Sequence, residues 1–159
     1  MLCMIQFNVH NDAIELVNLS MNEDPHIEYP HGLSFLDNYT IIVANRNGNG
    51  AGISILHLDE VSGMQIINSR MLLDQTHPSI YTPGTIKVRF IGPRFVEAFV
   101  CNNYANFISR HLLDRDDDWN VFYSEKLPFE FDVPDGIALS NNRDWIAISN
   151  HFAHQANVY

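Results

Sequence analysis

The stretch Pro134–Asn150, PDGIALSNNRDWIAISN, nearly repeats the stretch Pro30–Asn45, PHGLSFLDNYTIIVAN. A weaker copy lies between them, opening at Pro83 and closing with VEAFVCNN at residues 96–103. The prolines that open the copies are 53 residues apart (30 to 83) and 51 residues apart (83 to 134). A near-constant period in this range is typical of repeat architectures such as β-propellers. The sequence therefore predicts one structural unit that occurs three times.

Each repeat reads as short β-strands joined by turns. An apolar run at 32–36 precedes the turn residues Asp37 and Asn38, and the β-branched run TIIVA follows at 40–44, which together predict a hairpin. Beyond the glycine-rich loop at 46–52, ISILHL and MQIINSRMLL predict two further strands. The middle repeat has the same plan, and no segment has a sustained helical period with caps. We therefore predict an all-β protein of four-stranded antiparallel units.

The distribution of charge favours propeller blades over a sandwich. The inner strands of each repeat are apolar on both faces, whereas the outer strands carry charge, as in SRMLLD and FYSEKL. A radially stacked sheet has this gradient because its inner strands lie between neighbouring blades and its outer edge meets water. A β-sandwich, the alternative, has cleaner alternation along every strand.

We expect a single domain over 1–159, with about three blades' worth of strands. It consists of an outer half-blade at 1–22, blades at 30–75 and 83–129, and an inner half-blade at 134–159. Closed propellers have typically four to eight blades, so the chain alone is not expected to close. Three explanations remain open: a piece of a longer propeller, pairing with a different chain, or a homodimer that closes a six-bladed ring about a twofold axis.

Composition limits the classes of partner. The 159 residues carry a formal charge of −10, which repels phosphate backbones and anionic membrane surfaces, so we expect a protein or small-molecule partner and neither nucleic acid nor membrane. The first residues contain no basic segment followed by a signal-like apolar run, which predicts a cytoplasmic protein. Cys3 and Cys101 both lie in apolar stretches, so we expect both to be buried.

The hairpin geometry brings polar residues together at one rim. In an antiparallel hairpin the start of the first strand lies beside the end of the second, so the residues around each proline meet those after the second strand. In a propeller this rim surrounds the central channel. The predicted ligand-binding residues of the rim are His31, Asn45, Arg46, Asn102, Asn103, Asn150 and His151, with Asp135 as a candidate metal ligand. The competing interpretation is that these residues serve the turns and strand ends alone.

The phrase at Pro134–Asn150 resembles the blade motif of the calcium-dependent, six-bladed SMP-30/gluconolactonase group, and also that of NHL-type and YncE-like propellers. In the gluconolactonase group an asparagine of this turn binds the metal, and the resemblance implies the same role for Asp135 here. The chain has no match to the group's G-E-x-P glutamate motif. The sequence thus predicts a propeller-type binding protein without an enzymatic activity, with a Ca²⁺-dependent lactone hydrolase as the alternative.

An acidic segment offers a second candidate metal site. Asp114, Asp116, Asp118 and Glu125 fall at positions 1, 3, 5 and 12 of an EF-hand-like loop. Trp119 stands where that loop needs glycine, and the flanking residues read as strands. We therefore expect a solvated hairpin tip at this segment.

Overall fold

The computed structural model describes residues 1–10, 13–46, 51–142 and 144–159. Within these ranges the secondary structure consists of antiparallel β-strands and two single-turn 3₁₀ helices, so the all-β prediction is confirmed. None of the helices described is long and apolar enough to cross a membrane. The predicted glycine-rich loop lies largely outside the described residues, which omit 47–50.

Four antiparallel sheets follow one another along the chain, and within each sheet the strand order is the chain order. The first is the hairpin of β1 (Leu2–His10) and β2 (Ala13–Asn22). The second has β3 (Pro30–Phe35), β4 (Thr40–Asn45), β5 (Gly52–Leu58) and β6 (Ile66–Asp74). The third has β7 (Pro83–Phe90), β8 (Phe95–Asn102), β9 (Phe107–Asp114) and β10 (Asn120–Lys126). The fourth has β11 (Pro134–Leu139), β12 (Ile146–Asn150) and β13 (Gln155–Val158).

The sheets stack face to face in chain order, and each pair of neighbours shares an apolar core. Leu2 of the hairpin packs with Ile41 and Val43 of β4. Ile42 and Ala44, on the opposite face of β4, pack instead with side chains of the third sheet. A third core joins the third and fourth sheets, where Phe99 and Ile108 meet Ile137 and Ile148. Because successive side chains of a strand point to opposite faces, an inner strand between two cores must be apolar throughout.

The first strands of the second and third sheets approach each other at the level of the main chain. A side chain at Gly32 of β3 would collide with the carbonyl oxygen of Gly84 and would place its Cβ 2.7 Å from the amide nitrogen of Ile86 in β7. Only glycine permits this contact, which holds the two first strands side by side.

The two cysteines differ in environment. Cys101 is buried, and desolvation raises the pKa of its thiol to about 12. The predicted burial of Cys3 is wrong, since this residue is exposed. The reason is that only one face of the first hairpin is covered by the second sheet, and Cys3 lies on the other face.

Candidate functional site

Three of the predicted rim residues form a repeated structural clamp. Asn45, Asn102 and Asn150 each end the second strand of a sheet, and all three are buried. Each side-chain oxygen accepts a hydrogen bond from the main-chain N–H of the residue two before the sheet's opening proline. The donors are Glu28, Tyr81 and Asp132, at 3.1, 2.9 and 3.2 Å respectively. We call these three residues the asparagine clamp.

The amide groups of the clamp extend the same role. Asn45 Nδ2 donates to the carbonyl oxygen of His26 at 2.9 Å and to Ser54 Oγ at 2.8 Å. Asn102 Nδ2 donates to Ser109 Oγ at 3.1 Å. Buried polar atoms must be paired, so these contacts fix the segment that enters each sheet to the strands of that sheet. The amides of Asn45 and Asn102 are therefore engaged with the protein itself.

The residue after each clamp asparagine lies at one edge of the stack. The main-chain N–H of this residue donates to the carbonyl oxygen of the residue before the opening proline, and this pattern occurs in three sheets. The donor and acceptor pairs are Arg46 and Tyr29 at 3.1 Å, Asn103 and Thr82 at 3.1 Å, and His151 and Val133 at 3.0 Å. Arg46, Asn103 and His151 thus hold equivalent places in successive sheets.

Side chains from three successive sheets join along this edge. Arg46 Nη2 donates to Asn103 Oδ1 at 2.7 Å, and Asn103 Nδ2 donates to Asp135 Oδ1 at 2.9 Å. Asn103 Nδ2 also lies 2.6 Å from the carbonyl oxygen of Pro134. We call Arg46, Asn103 and Asp135 the rim line. Gly84 lies beneath it, and a side chain there would collide with Asn103 Oδ1 and place its Cβ 2.9 Å from Arg46 Nη2.

Arg46 is incompletely paired within the described part of the chain. Its Nε atom is buried and has no hydrogen-bond partner there. Its guanidinium carbon lies 5.8 Å from the centre of the Tyr104 ring, a distance at which a cation and an aromatic face attract. A buried donor without an acceptor costs about 1–3 kcal/mol, so the arrangement favours an acceptor supplied from outside the described chain.

His31 lies in the field of the rim line. Desolvation and then the positive charge of Arg46 lower the pKa of His31, while the carboxylate of Asp135 acts in the opposite direction. The ordinary pKa of histidine is about 6.5, so a lowered value leaves His31 neutral at pH 7. Arg46 is therefore the cation of this group of residues.

A cleft of about 280 Å³ adjoins Arg46. Its other lining residues are Ala51, Gln75, Tyr81 and Thr82. No sequence motif marks these residues as a site, although Tyr81 and Thr82 directly precede the third sheet's opening proline. Their position in the repeat was the available signal, since the equivalent residues of any repeat flank the rim.

The structure thus places the predicted site residues in two groups. His31, Arg46, Asn103 and Asp135 come together at the rim, and His151 lies exposed at the same edge with its ring 5.6 Å from that of Phe152. The asparagine clamp lies buried behind them. The described residues contain no group of three or more His, Cys, Asp or Glu side chains that could hold a metal. Since Ca²⁺ takes six to eight oxygen ligands, Asp135 alone does not favour the calcium alternative.

The acidic segment between β9 and β10 is engaged in ion pairs. Asp114 accepts from Arg94 Nε at 2.8 Å and from Arg94 Nη2 at 2.5 Å, and these contacts lower the pKa of its carboxyl group. Glu125 lies within β10 and pairs with Arg110 at 2.5 Å. Asp116 shares Arg94 with Asp114, and Asp118 pairs with Arg70 of β6 in the second sheet. The carboxylates of the EF-hand-like spacing are therefore paired with arginines.

No protein-family model matches the chain, and neither a curated protein nor a solved structure matches it. The fold and the rim therefore define only a structural class. The chain is an all-β protein of stacked antiparallel sheets with a polar edge where the first strands of neighbouring sheets meet.

Proposed function

We propose that the chain is a β-propeller-type binding module and that its rim binds a ligand bearing a carboxylate. Two features support the propeller interpretation. The sheets are consecutive antiparallel meanders that stack in chain order, as blades do. Their first strands meet through main-chain contact at Gly32 and Gly84, as the inner strands of blades do near a common axis.

The observation that carries the ligand class is the state of Arg46. A guanidinium presents a planar set of donors that matches a carboxylate in a bidentate geometry. Asn103 holds one Nη atom in place, while the Nε donor of Arg46 lacks an acceptor in the described chain. A carboxylate that enters the adjoining cleft would supply the missing acceptor after a small rotation of the guanidinium.

The opposite end of the rim line selects the rest of the ligand. Asp135 repels a second carboxylate and accepts hydrogen bonds from amines or hydroxyl groups. The neutral ring of His31 can donate through one nitrogen and accept through the other. The rim therefore suits a small polar molecule, or a peptide end, with an anionic group at one side and donors at the other.

The test uses a pair of probes that differ in one group. Glycylglycine and glycylglycine amide are titrated into the protein while the arginine Nε–H signals are followed by NMR. We expect the free acid, and not the amide, to shift the Arg46 signal in a saturable way. Equal shifts with both probes, or none up to tens of millimolar, would contradict a carboxylate site.

A matched substitution locates the site. Arg46→Lys keeps the charge but removes the planar fork, so we expect it to abolish saturable binding of glycylglycine, measured for this comparison by isothermal titration calorimetry because the variant has no Arg46 signal. Arg115→Lys, made at an exposed arginine of the turn after β9, should leave binding unchanged. If both variants bind as the wild type does, the rim is the wrong surface.

A further inference from the structure

The sheets at the two ends of the stack have fewer strands than the two between them. The first has two strands and the fourth has three, whereas the second and third have four. Within the described residues β1 pairs with β2 alone and β13 pairs with β12 alone. β1 and β13 therefore each have a strand edge whose N–H and C=O groups are available for pairing.

A groove runs along the free edge of β1. Its volume is about 360 Å³, and it is lined by residues 2–6 of β1 and by Leu33, Phe35 and Ile41 of the second sheet. Leu33 and Phe35 are 44% and 51% exposed, although they lie on the face of β3 that continues the core around Ile41. They are exposed because no described strand of the first sheet extends over β3. The groove therefore lies where further strands beside β1 would extend the first sheet over β3.

The first hairpin also has one wholly apolar face. Residues directly opposite each other in a hairpin share a face, and four such cross-strand pairs are apolar on the side away from the second sheet. We call this the apolar face: Cys3 with Met21, Ile5 with Leu19, Phe7 with Leu16, and Val9 with Ile14. Its large side chains are 50–72% exposed. Contiguous apolar surface of this extent marks an interaction site.

The fourth sheet has a complementary outer face. Its inner face packs on the third sheet through Ile137, Ile148 and their neighbours. The residues of the outer face are small or uncharged: Gly136, Ala138, Ala147, Ser149, Ala156 and Val158. Side chains of this size allow a sheet to enter a groove beside bulky residues such as Leu33 and Phe35.

We propose that the fourth sheet of a second copy of this chain enters the groove and sets its β13 edge along β1. Its small outer face then covers Leu33 and Phe35. The inner face of that fourth sheet lies on the third sheet of the second copy. The β1–β2 hairpin of the first copy, which extends this fourth sheet, therefore lies over β9 and β10 of the second copy. The apolar face lies there over Tyr123, which is 49% exposed in the single chain, and over the paired side chains of Arg110 and Glu125 on the same face of the third sheet.

The contact is reciprocal, since each copy has one groove and one fourth sheet. Two copies therefore pair the β1 edge and the β13 edge of each chain and form a closed dimer about a twofold axis. At roughly 100 Å² for each half-exposed large apolar side chain, the apolar face with Leu33 and Phe35 contributes on the order of 800 Å², the per-partner area of a standard stable interface. This inference does not depend on the ligand proposed for the rim, and its test is independent of ligand binding.

Light scattering over a range of concentrations tests the dimer. We expect the wild type to have twice the 18.2 kDa mass of the chain, and Phe35→Lys and Ala156→Arg each to reduce the mass to that of the monomer. Both residues are exposed in the single chain, so the variants should keep the far-ultraviolet circular dichroism of the wild type. Ile67→Lys, at an exposed apolar residue of β6 outside the groove, should remain dimeric. A wild type that is monomeric at all concentrations, or a dimeric Phe35→Lys, would overturn the proposal.

Cross-linking through Cys3 distinguishes the arrangement of the copies. Cys101 is buried, so Cys3 is the accessible thiol of the wild type. A sheet spacing of about 10 Å places the first and fourth sheets of one chain roughly 30 Å apart, too far for a disulfide within the chain. We expect Gln155→Cys or Asn157→Cys to give a covalent dimer under mild oxidation, and Ala156→Cys, on the opposite face of β13, to give none. A disulfide-linked dimer of the wild type would instead show that Cys3 of one copy lies close to Cys3 of the other, with the two apolar faces packed together. This result would overturn the proposed arrangement of the copies.

A lipid surface is the other occupant that an apolar face could have. Sedimentation with neutral phosphatidylcholine vesicles tests it, with Phe7→Lys compared with Gln6→Lys, an exposed residue on the opposite face of the same strand. If the protein is monomeric without lipid and binds vesicles, and if Phe7→Lys loses this binding, the apolar face binds a membrane and not a second copy.

Discussion

Replacing Asn102 by alanine tests whether the asparagine clamp holds each entry segment on its sheet. The side chain is fully buried, and its oxygen accepts from the main-chain N–H of Tyr81 at 2.9 Å. Its amide donates to Ser109 Oγ, which also lies 2.9 Å from His111 Nε2 and so keeps one partner in the variant. The principal loss is therefore the acceptor of the Tyr81 N–H.

The magnitude follows from this contact. A buried donor left without an acceptor costs about 1–3 kcal/mol. The vacated space, roughly 40 Å³, adds about 1 kcal/mol. We expect Asn102→Ala to lower the free energy of unfolding by about 2–4 kcal/mol, a large part of the about 5–15 kcal/mol typical of a domain. For a chain of this length the melting temperature falls by about 2–4 °C for each kcal/mol.

The assay is urea unfolding followed by tryptophan fluorescence and circular dichroism, with midpoints and slopes compared. Asn68→Ala, at an exposed asparagine of β6, is the matched control and should change the free energy by less than about 0.5 kcal/mol. The reasoning is refuted if the two variants lose the same stability, because the buried hydrogen bonds would then contribute nothing beyond the intrinsic effect of an asparagine-to-alanine change.

Two further predictions concern packing inside the protein. Gly32→Ala places a methyl group against the main chain of β7, so we expect the free energy of unfolding in urea to fall by about 2–3 kcal/mol. In the control Gly92→Ala the new methyl group meets no atom within 4 Å, so the free energy should hardly change. Equal losses in the two variants would argue against the close contact between β3 and β7. Desolvation, with a smaller contribution from the charge of His77, lowers the pKa of His111 to about 3, so between about pH 6.5 and pH 3 the unfolded chain binds a proton there that the folded chain does not. The free energy of unfolding should therefore fall by up to about 1.4 kcal/mol per pH unit as the pH falls through this window. Urea midpoints measured from pH 7 to pH 4 should depend less steeply on pH in His111→Gln than in the wild type. Parallel profiles would mean that His111 binds its proton equally in the folded and unfolded chains.

Much of the backbone could be predicted from the sequence because the repeated phrase contains both the turn residues and the β-branched runs. TIIVA at 40–44 has an apolar residue at almost every position, and such a run is stable only when both faces of the strand are covered. The structure covers both faces of β4, with Ile41 in one core and Ile42 in another. Local residue type was sufficient for this inference.

The roles of the asparagines could not be predicted in the same way. An asparagine at the end of a strand can face solvent or turn inward, and residue type alone does not separate the two. What decides the outcome for Asn45 is the entry segment at 26–29, whose main-chain groups reach the asparagine across 17 to 19 residues of sequence. Pairing over such a separation depends on tertiary structure.

The exposure of Cys3 has a similar cause. Alternation in LCMIQFNVH predicts an apolar and a more polar face for β1, but it does not indicate which neighbour covers each face. The second sheet covers the face of Leu2, and no described part of the chain covers the apolar face that includes Cys3. Strand periodicity alone therefore does not indicate which face of a strand is buried.

The asparagine clamp also defines where one repeat ends and the next begins. Each clamp binds the segment that enters its own sheet, so the unit from an entry segment to the last strand of its sheet carries its clamp contacts within itself. The boundary between the second and third sheets then falls at 75–78, after β6 and before the segment held by Asn102. A tandem duplication of one such unit at this boundary would add a sheet complete with its own clamp and break none of the existing ones. The architecture is therefore extensible, and the number of sheets can change by gain or loss of whole units without redesign of the remaining ones.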